Sequence, residues 1–246
     1  MVWISLTFSC SITAAQDRPG AQLGIDLSLC SKYVWRGLVF DEDPVLQPDT
    51  WLQVYGITMT FWGNLDLTDE NGKYRGQFNE WDTMIDFPLA GVGPVSFSGE
   101  LWYGSFPNSS GQGSSTAELL LWASGDLIGS PTIGVYWDIW QLHGIYVDMS
   151  LSHAAALGAG NLFLSTGMGW GDERHNRWSS VENAGGWLDF RIEAEYAATI
   201  YPNLTLFPGI HYSRIIQEDI RRYYDDVGIE TSNLFFSIRA AIELSD

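Results

Sequence analysis

Basic residues are scarce in this sequence. Its 246 residues include 12 Lys and Arg against 30 Asp and Glu, which gives a formal net charge of −18. We therefore expect no nucleic-acid partner, because binding to phosphates needs a basic face. The only cysteines, Cys10 and Cys30, form neither a disulfide framework nor a metal-binding spacing.

Long hydrophobic runs are also missing. No run of apolar residues reaches the roughly 18 that a membrane-spanning helix needs. Hydrophobic residues nevertheless make up 46% of the chain, too many for a chain that stays disordered by composition. Glycine (26) and the aromatic residues Trp (12), Tyr (11) and Phe (12) are abundant, which favours a β-sheet protein.

Apolar and polar residues alternate along eleven segments, as in strands whose two faces meet different media. In the first segment, Gln22 to Arg36, residues such as Leu23 and Ile25 oppose Asp26. The other ten segments are 57–66, 80–87, 95–103, 118–124, 132–139, 145–152, 161–168, 188–196, 204–211 and 233–243. Short connections alternate with longer polar ones, which is typical of outer-membrane barrels. The longer ones include 215–232, where residues 215–226 could hold a helical turn but are better interpreted as a polar loop.

We predict an all-β fold, a transmembrane antiparallel up-and-down β-barrel of about 10–12 strands. Eleven is an odd count, and bacterial barrels normally have an even one, so one segment is false or one strand is missing. The alternating stretch Val2–Ile12 would supply a twelfth strand. We predict instead that residues 1–15 are a signal peptide, truncated because no basic region precedes it, before a single barrel domain over 16–246, and we keep the extra strand as the alternative.

A soluble β-sandwich would alternate as well, but aromatic residues near the strand ends favour a membrane. Such residues form girdles at the two membrane interfaces. They are Tyr33, Trp35, Trp81, Tyr103, Trp137, Trp187 and Tyr196. We therefore expect the chain to contact lipid in the bacterial outer membrane.

One region resembles a known family. The stretch Ser31 to Gly37 (SKYVWRG), with Pro44, Gln47, Gly56, Trp62-Gly63-Asn64, Glu80 and Asp82, looks like the TorF family of outer-membrane porins. The resemblance covers mainly residues 23–90. It implies a small barrel with a cleaved signal peptide and a role in transport.

The polar faces of the predicted strands are strongly acidic, with thirteen acids against four bases. An acidic lumen favours cations. The residues predicted to line the lumen and set its selectivity are Asp26, Arg36, Asp66, Glu80, Asp82, Asp86, Glu100, Asp148, Asp189, Arg191, Glu193 and Glu195. The chain is then a porin for small cationic or neutral solutes, and the alternative is a plugged structural or partner-binding barrel without transport.

Arg36 has two interpretations: it lines a constriction, or it pairs with interior carboxylates such as Glu80 or Asp82. We expect no enzyme, since no catalytic motif is present. The weakest alternative is a membrane acyl-hydrolase using His211 and Ser213, which share a face. The acidic run Asp41–Asp43 is expected to be solvated loop charge, and neither a metal nor a cofactor is expected. The sequence identifies neither the solute nor the oligomeric state.

Overall fold

A computed structural model describes residues 20–70, 74–108, 114–179 and 185–245 of the chain. Twelve antiparallel strands close into one barrel, which confirms the predicted fold class. The barrel strands are β1 (Gln22–Cys30), β4 (Val45–Val54), β5 (Ile57–Asp66), β6 (Phe78–Pro88), β7 (Val95–Ser105), β8 (Ser115–Gly125), β9 (Thr132–Asp138), β10 (Ile145–Leu157), β11 (Gly160–Gly171), β12 (Gly186–Tyr201), β13 (Leu204–Ile215) and β14 (Ser232–Ser245).

Two further strands, β2 (Tyr33–Trp35) and β3 (Leu38–Asp41), form a separate hairpin between β1 and β4. The first segment was predicted to run on to Arg36, but β1 ends at Cys30. The barrel closes because β1 pairs with β14 on one side and with β4 on the other. The stretch Val2–Ile12 and the predicted signal peptide lie outside the described residues.

The strand that periodicity missed is β4. Its inner positions mix the apolar Val45 with the polar Gln47, and both are buried, so polarity does not alternate cleanly. Pro48 lies in its middle, opposite Leu27 of β1. Proline has no N–H to donate to the ladder, and the pairing of β4 with β5 lapses at Gln47 and Pro48.

Apolar side chains cover the outside of the barrel. Leu23, Ile25, Leu27 and Leu29 of β1 are all exposed, each more than a third. Trp81, Tyr103, Trp137 and Trp187 lie near one end of their strands and are between 43% and 49% exposed, as expected for an aromatic girdle. Two predicted girdle members do not belong to it, because Tyr33 and Trp35 lie in the hairpin and Tyr33 is only 1% exposed.

A bulge turns one predicted outward residue inward. The pairing of β11 with β12 shifts register between Gly169 and Trp170, so that Leu188 has no partner of its own. Alternation placed Leu188 on the outer face, but it is 3% exposed and belongs to the core.

Connections of different length separate the two ends of the barrel. The turn end holds the two-residue turns 55–56, 158–159 and 202–203 and the connections 89–94 and 126–131. The loop end holds the connections 31–44, 67–77, 106–114, 139–144, 172–185 and 216–231. This alternation agrees with the expected barrel topology.

The connection 216–231 was predicted to be a polar loop, and that prediction was wrong. It contains helix α1 (Glu218–Asp226), whose Ile220 is completely buried against the barrel end while the rest of the helix is mostly polar. A 3₁₀ helix, His175–Ser179, lies in the connection 172–185. Within the described parts of the chain, no helix is long and apolar enough to cross a membrane.

Candidate functional site: a hairpin clamped across the lumen

The hairpin β2–β3 enters the lumen instead of extending away from the loop end. Arg36 and Gly37 form its two-residue turn, with φ values of 48° and 81°. Two successive positive φ values are the signature of the hairpin turns that match the twist of the strands. Glycine adopts this conformation freely, but arginine does so rarely, so the contacts of Arg36 must hold it there.

The hairpin spans the lumen from one wall to the other. Near its base, the Tyr33 hydroxyl donates a hydrogen bond of 2.8 Å to Glu80 of β6. At its tip, Gly37 lies so close to β12 and β13 that a Cβ atom there would stand 2.8 Å from Asp189 Cβ and 3.1 Å from Ile215 Cγ1. In the order of strands around the barrel, β8, β9 and β10 lie opposite the junction of β1 and β4, and the tip reaches them.

Arg36 is clamped by a single carboxylate on that opposite wall. Its Nη1 and Nη2 donate to Oε1 and Oε2 of Glu118 at 3.0 and 2.8 Å. The two side chains are only 7% and 5% exposed. This bidentate geometry fits the planar guanidinium, and burial strengthens the attraction. The predicted pairing with Glu80 or Asp82 was wrong in its partner: Glu80 binds Tyr33, and Asp82 accepts from the indole of Trp102.

Aromatic rings complete a cage around the guanidinium. The Arg36 Cζ lies 4.2 Å from the ring centre of Trp35, 4.6 Å from that of Tyr136 and 4.2 Å from that of Tyr146. All three distances are well inside the range of a cation–π contact. We call Glu118, Trp35, Tyr136 and Tyr146 the arginine cage.

The cage is supported from outside by two further contacts. The Tyr146 hydroxyl donates to Asp189 at 2.8 Å, and the inward-facing Gly169 makes room for this bond, because a Cβ there would overlap the hydroxyl. His175, from the connection 172–185, packs its ring 5.0 Å from that of Tyr146. Burial, and then the positive charge of Arg36, hold the pKa of His175 well below its ordinary value. The imidazole beside the cage is therefore neutral at neutral pH.

The residues predicted to line the lumen lie on the inner side of the wall, apart from Arg36 at the hairpin tip. Seven of them are at most 4% exposed: Asp66, Glu80, Asp82, Glu100, Asp148, Asp189 and Glu195. The other four, Asp26, Asp86, Arg191 and Glu193, alternate with the outward-facing positions of their strands and are partly buried. The structure brings only some of them together with Arg36: Asp148, Asp189, Arg191, Glu193 and Glu100 line the same cavity as the hairpin tip, with a volume of about 70 Å³.

Each lumen arginine is neutralised by an acid. Arg191 donates to both oxygens of Asp148, at 2.6 and 2.8 Å. Arg239 donates to Asp26 at 2.9 Å and lies over the ring of Phe207 at 3.8 Å. Together with the Arg36 clamp, these pairs neutralise the three arginines of the lumen. In the part of the chain that the structure describes, other carboxylates of the lumen have no arginine within hydrogen-bond distance.

The remaining carboxylates have buried oxygens without a hydrogen-bond partner among the described residues. They are Asp49 Oδ1, Asp82 Oδ1, Glu100 Oε1 and both oxygens of Glu195. Glu100 faces Asp86 directly across the β6–β7 pair, so two acids share one place. Buried polar atoms of this kind are costly unless something pairs with them. The lumen thus keeps an excess of acid after its arginines are paired.

A second acidic group, Asp41, Asp43 and Asp66, lies beside the base of the hairpin. Their carboxylate oxygens lie within 4.8 Å of one another. Asp41 accepts from the Asp43 amide and from Asn79, and burial raises the pKa of Asp41 to about 6. Asp43 and Asp66 are each 1% exposed. The expectation that Asp41–Asp43 is solvated loop charge was therefore wrong for Asp41 and Asp43, because the hairpin carries this run into the barrel mouth, whereas Glu42 is exposed as expected.

The predicted dyad of His211 and Ser213 has a different geometry. His211 Nε2 lies 2.8 Å from Ser237 Oγ of β14, and its Nδ1 lies 3.7 Å from Glu193 Oε1. The ring stacks on Phe235 at 4.9 Å and is 1% exposed. The serine partner is therefore Ser237, and the acid lies beyond hydrogen-bond distance.

Three cage residues were missing from the predicted site. Glu118 is one of the thirteen acids on the predicted polar faces, in the segment 118–124, but nothing in the sequence joins it to Arg36, 82 residues away. Tyr136 and Tyr146 were not assigned a role. The alternation could have placed them in the lumen, because each shares a strand face with an inward acid: Tyr136 with Asp138, and Tyr146 with Asp148.

No model of a known protein family matches the sequence, and no curated protein is similar to it. Among solved structures, the COG4313 outer membrane channel from Pseudomonas putida F1 is similar over 93% of this chain and 97% of that chain, with 9% identity and a TM-score of 0.52. The KdgM porin in complex with disordered oligogalacturonate is less similar, with 6% identity over 92% and 99% of the two chains and a TM-score of 0.49. This chain has the fold of an outer-membrane channel.

Proposed function

We propose that this chain is a porin of the bacterial outer membrane that passes small cationic or neutral solutes through an acidic lumen. The hairpin tip forms the constriction of that lumen. The resemblance of residues 23–90 to the TorF porins supports the proposal, as does the apolar outer face, which suits lipid.

The excess of acid in the lumen is the observation that carries this proposal. Arg36, Arg191 and Arg239 are each matched by a carboxylate. Glu100 Oε1 is buried without a hydrogen-bond partner among the described residues, and Glu195 accepts no hydrogen bond there, although Arg239 Nη2 lies 3.8 Å from its Oε2. A pore lined by such residues attracts cations and repels anions through its field. We therefore propose Asp49, Asp82, Glu100 and Glu195 as the residues that set selectivity.

The hairpin sets the open cross-section in this proposal. A twelve-stranded barrel is wide enough for a lumen that side chains alone do not fill. Here the hairpin occupies part of it, and the cavity beside its tip holds only a few water molecules. Passage then depends on movement of Arg36 and the turn that carries it.

One alternative has structural support of its own. The bidentate clamp between Arg36 and Glu118 would suit a barrel that is closed permanently and acts through its loops. A closed barrel would transport nothing, even after the clamp is weakened.

Solute uptake into proteoliposomes tests the proposal. We would compare radiolabelled glucosamine, glucose and glucuronate, which have similar size and are cationic, neutral and anionic at neutral pH. The expected order of uptake is glucosamine, then glucose, then glucuronate, each measured against empty liposomes. Faster entry of glucuronate would overturn the acidic pore. No uptake by the wild type or by a Glu118→Gln variant would favour the closed barrel.

A further inference from the structure

The arginine cage has the chemistry of a receptor for a guanidinium ion. Glu118 meets the planar fork with two parallel hydrogen bonds, and Trp35, Tyr136 and Tyr146 present ring faces to the cation. This combination selects a flat, weakly hydrated cation over a compact, strongly hydrated one. Arg36 fills the receptor as a ligand tethered to the hairpin.

The backbone of Arg36 favours its replacement in the cage by a free guanidinium ion. Arg36 has a φ of 48°, a backbone conformation that arginine rarely adopts. Release of Arg36 from the cage would let the turn leave this conformation. A free cation in the cage would preserve the neutralisation of Glu118 while Arg36 returns to water.

The adjoining cavity also attracts a second positive charge. Glu100 lines that cavity, is 1% exposed, and its Oε1 accepts no hydrogen bond among the described residues. Arg191, the other cation that lines the cavity, is already paired with Asp148 and does not neutralise Glu100. A cation that arrives from the lumen thus finds a carboxylate oxygen of Glu100 without a hydrogen-bond partner beside the cage.

We propose that solutes carrying a guanidinium group bind the arginine cage in place of Arg36 and so release the hairpin from the constriction. This inference rests on the proposed porin function and names the class of solute that opens the pore. The solute competes with Arg36 for one site, so its apparent affinity equals its affinity for the empty cage multiplied by the fraction of time that Arg36 is undocked.

Calorimetric binding of ethylguanidinium to the refolded barrel in detergent tests the exchange. In Arg36→Ala the cage is empty, and we expect ethylguanidinium to bind at least ten times more tightly than to the wild type. Ethylammonium has the charge without the planar fork, and ethylurea has the shape without the charge. Both should bind at least ten times more weakly than ethylguanidinium to Arg36→Ala.

Two further variants place the binding at the cage. Arg36→Ala combined with Glu118→Gln should lose the binding, because the bidentate acceptor is gone. Lys32→Ala is the matched control: Lys32 is a cation of the same connection, but it pairs with Glu230 outside the cage, at 2.9 Å. Lys32→Ala should bind ethylguanidinium as the wild type does.

A second variant covers the case in which Arg36→Ala does not fold, and solute uptake distinguishes failure of the exchange from failure of the porin. If Arg36→Ala does not fold, Arg36→Gln keeps the length of the side chain and should show the same gain. Equal binding of ethylguanidinium and ethylammonium, or no gain over the wild type in a folded variant, overturns the exchange. Glucosamine uptake by Arg36→Ala without guanidinium binding refutes only this inference, whereas guanidinium binding without any solute uptake refutes only the porin.

Discussion

Glu118→Gln is the change that isolates the clamp. Glutamine has nearly the same volume as glutamate, so the lumen keeps its width and only the charge of the clamp is lost. Arg36 would then remain as a buried cation without its bidentate partner. The hairpin should leave the constriction more often, and the pore should open more often.

The magnitude follows from the burial of the pair. Removal of one partner from a buried ion pair costs about 3–5 kcal/mol. The amide oxygen introduced by Glu118→Gln would still accept one hydrogen bond, so we expect the docked hairpin to lose about 2–3 kcal/mol. The ratio of docked to undocked hairpin then falls roughly 30- to 150-fold.

Single-channel recording in planar bilayers measures this ratio as the open probability. Glu100→Gln is the matched control, because it makes the same change from carboxylate to amide in the same lumen and leaves the clamp intact. We expect Glu118→Gln to raise the open probability and Glu100→Gln to leave it unchanged. Equal open probability in Glu118→Gln and the wild type, or an equal rise in both variants, would refute the clamp.

Three other predictions concern the support of the hairpin. Gly37→Ala places a methyl group 2.8 Å from Asp189 Cβ at a φ of +81°, so its open probability should rise, whereas Gly93→Ala, with a φ of +59° and open space around it, should not change it. Tyr33→Phe leaves the buried Glu80 without its donor and should lower stability by about 1–3 kcal/mol, seen as a lower temperature of the heat-induced gel shift. The folded pKa of His175 lies below its unfolded value of about 6.5, so the neutral imidazole contributes fully to stability above that pH, and this contribution is lost as the pH falls towards the folded pKa. His175→Gln should therefore make the melting temperature less sensitive to acid. A melting temperature with the same pH profile as the wild type would contradict this role of His175.

The barrel could be predicted from sequence because its wall separates two media. Eleven of the twelve strands have an alternation that reports directly which side of the wall is apolar. The exception, β4, has Pro48 in its ladder and an apolar residue among its inner positions, so the same signal fails. The helix α1 was missed because only Ile220 of its polar sequence is buried.

The hairpin β2–β3 could not be distinguished from a barrel strand by the alternation of apolar and polar residues. A strand that crosses the membrane and a strand that folds into the lumen both alternate every second residue, so Tyr33 and Trp35 read as a continuation of β1. The best local signal was Arg36-Gly37 between two short apolar runs, which suits a two-residue turn. The clamp itself depends on the closure of the barrel, which alone brings Glu118 to Arg36.

The most direct test of the account is the reversal potential of wild-type openings under a salt gradient. The acidic lumen predicts discrete openings whose reversal potential is cation-selective, and a shift towards zero when Glu100 and Glu195 are both changed to Gln. Anion-selective openings would contradict the acidic pore. A folded, inserted barrel that never conducts, either as the wild type or as Glu118→Gln, would contradict transport altogether.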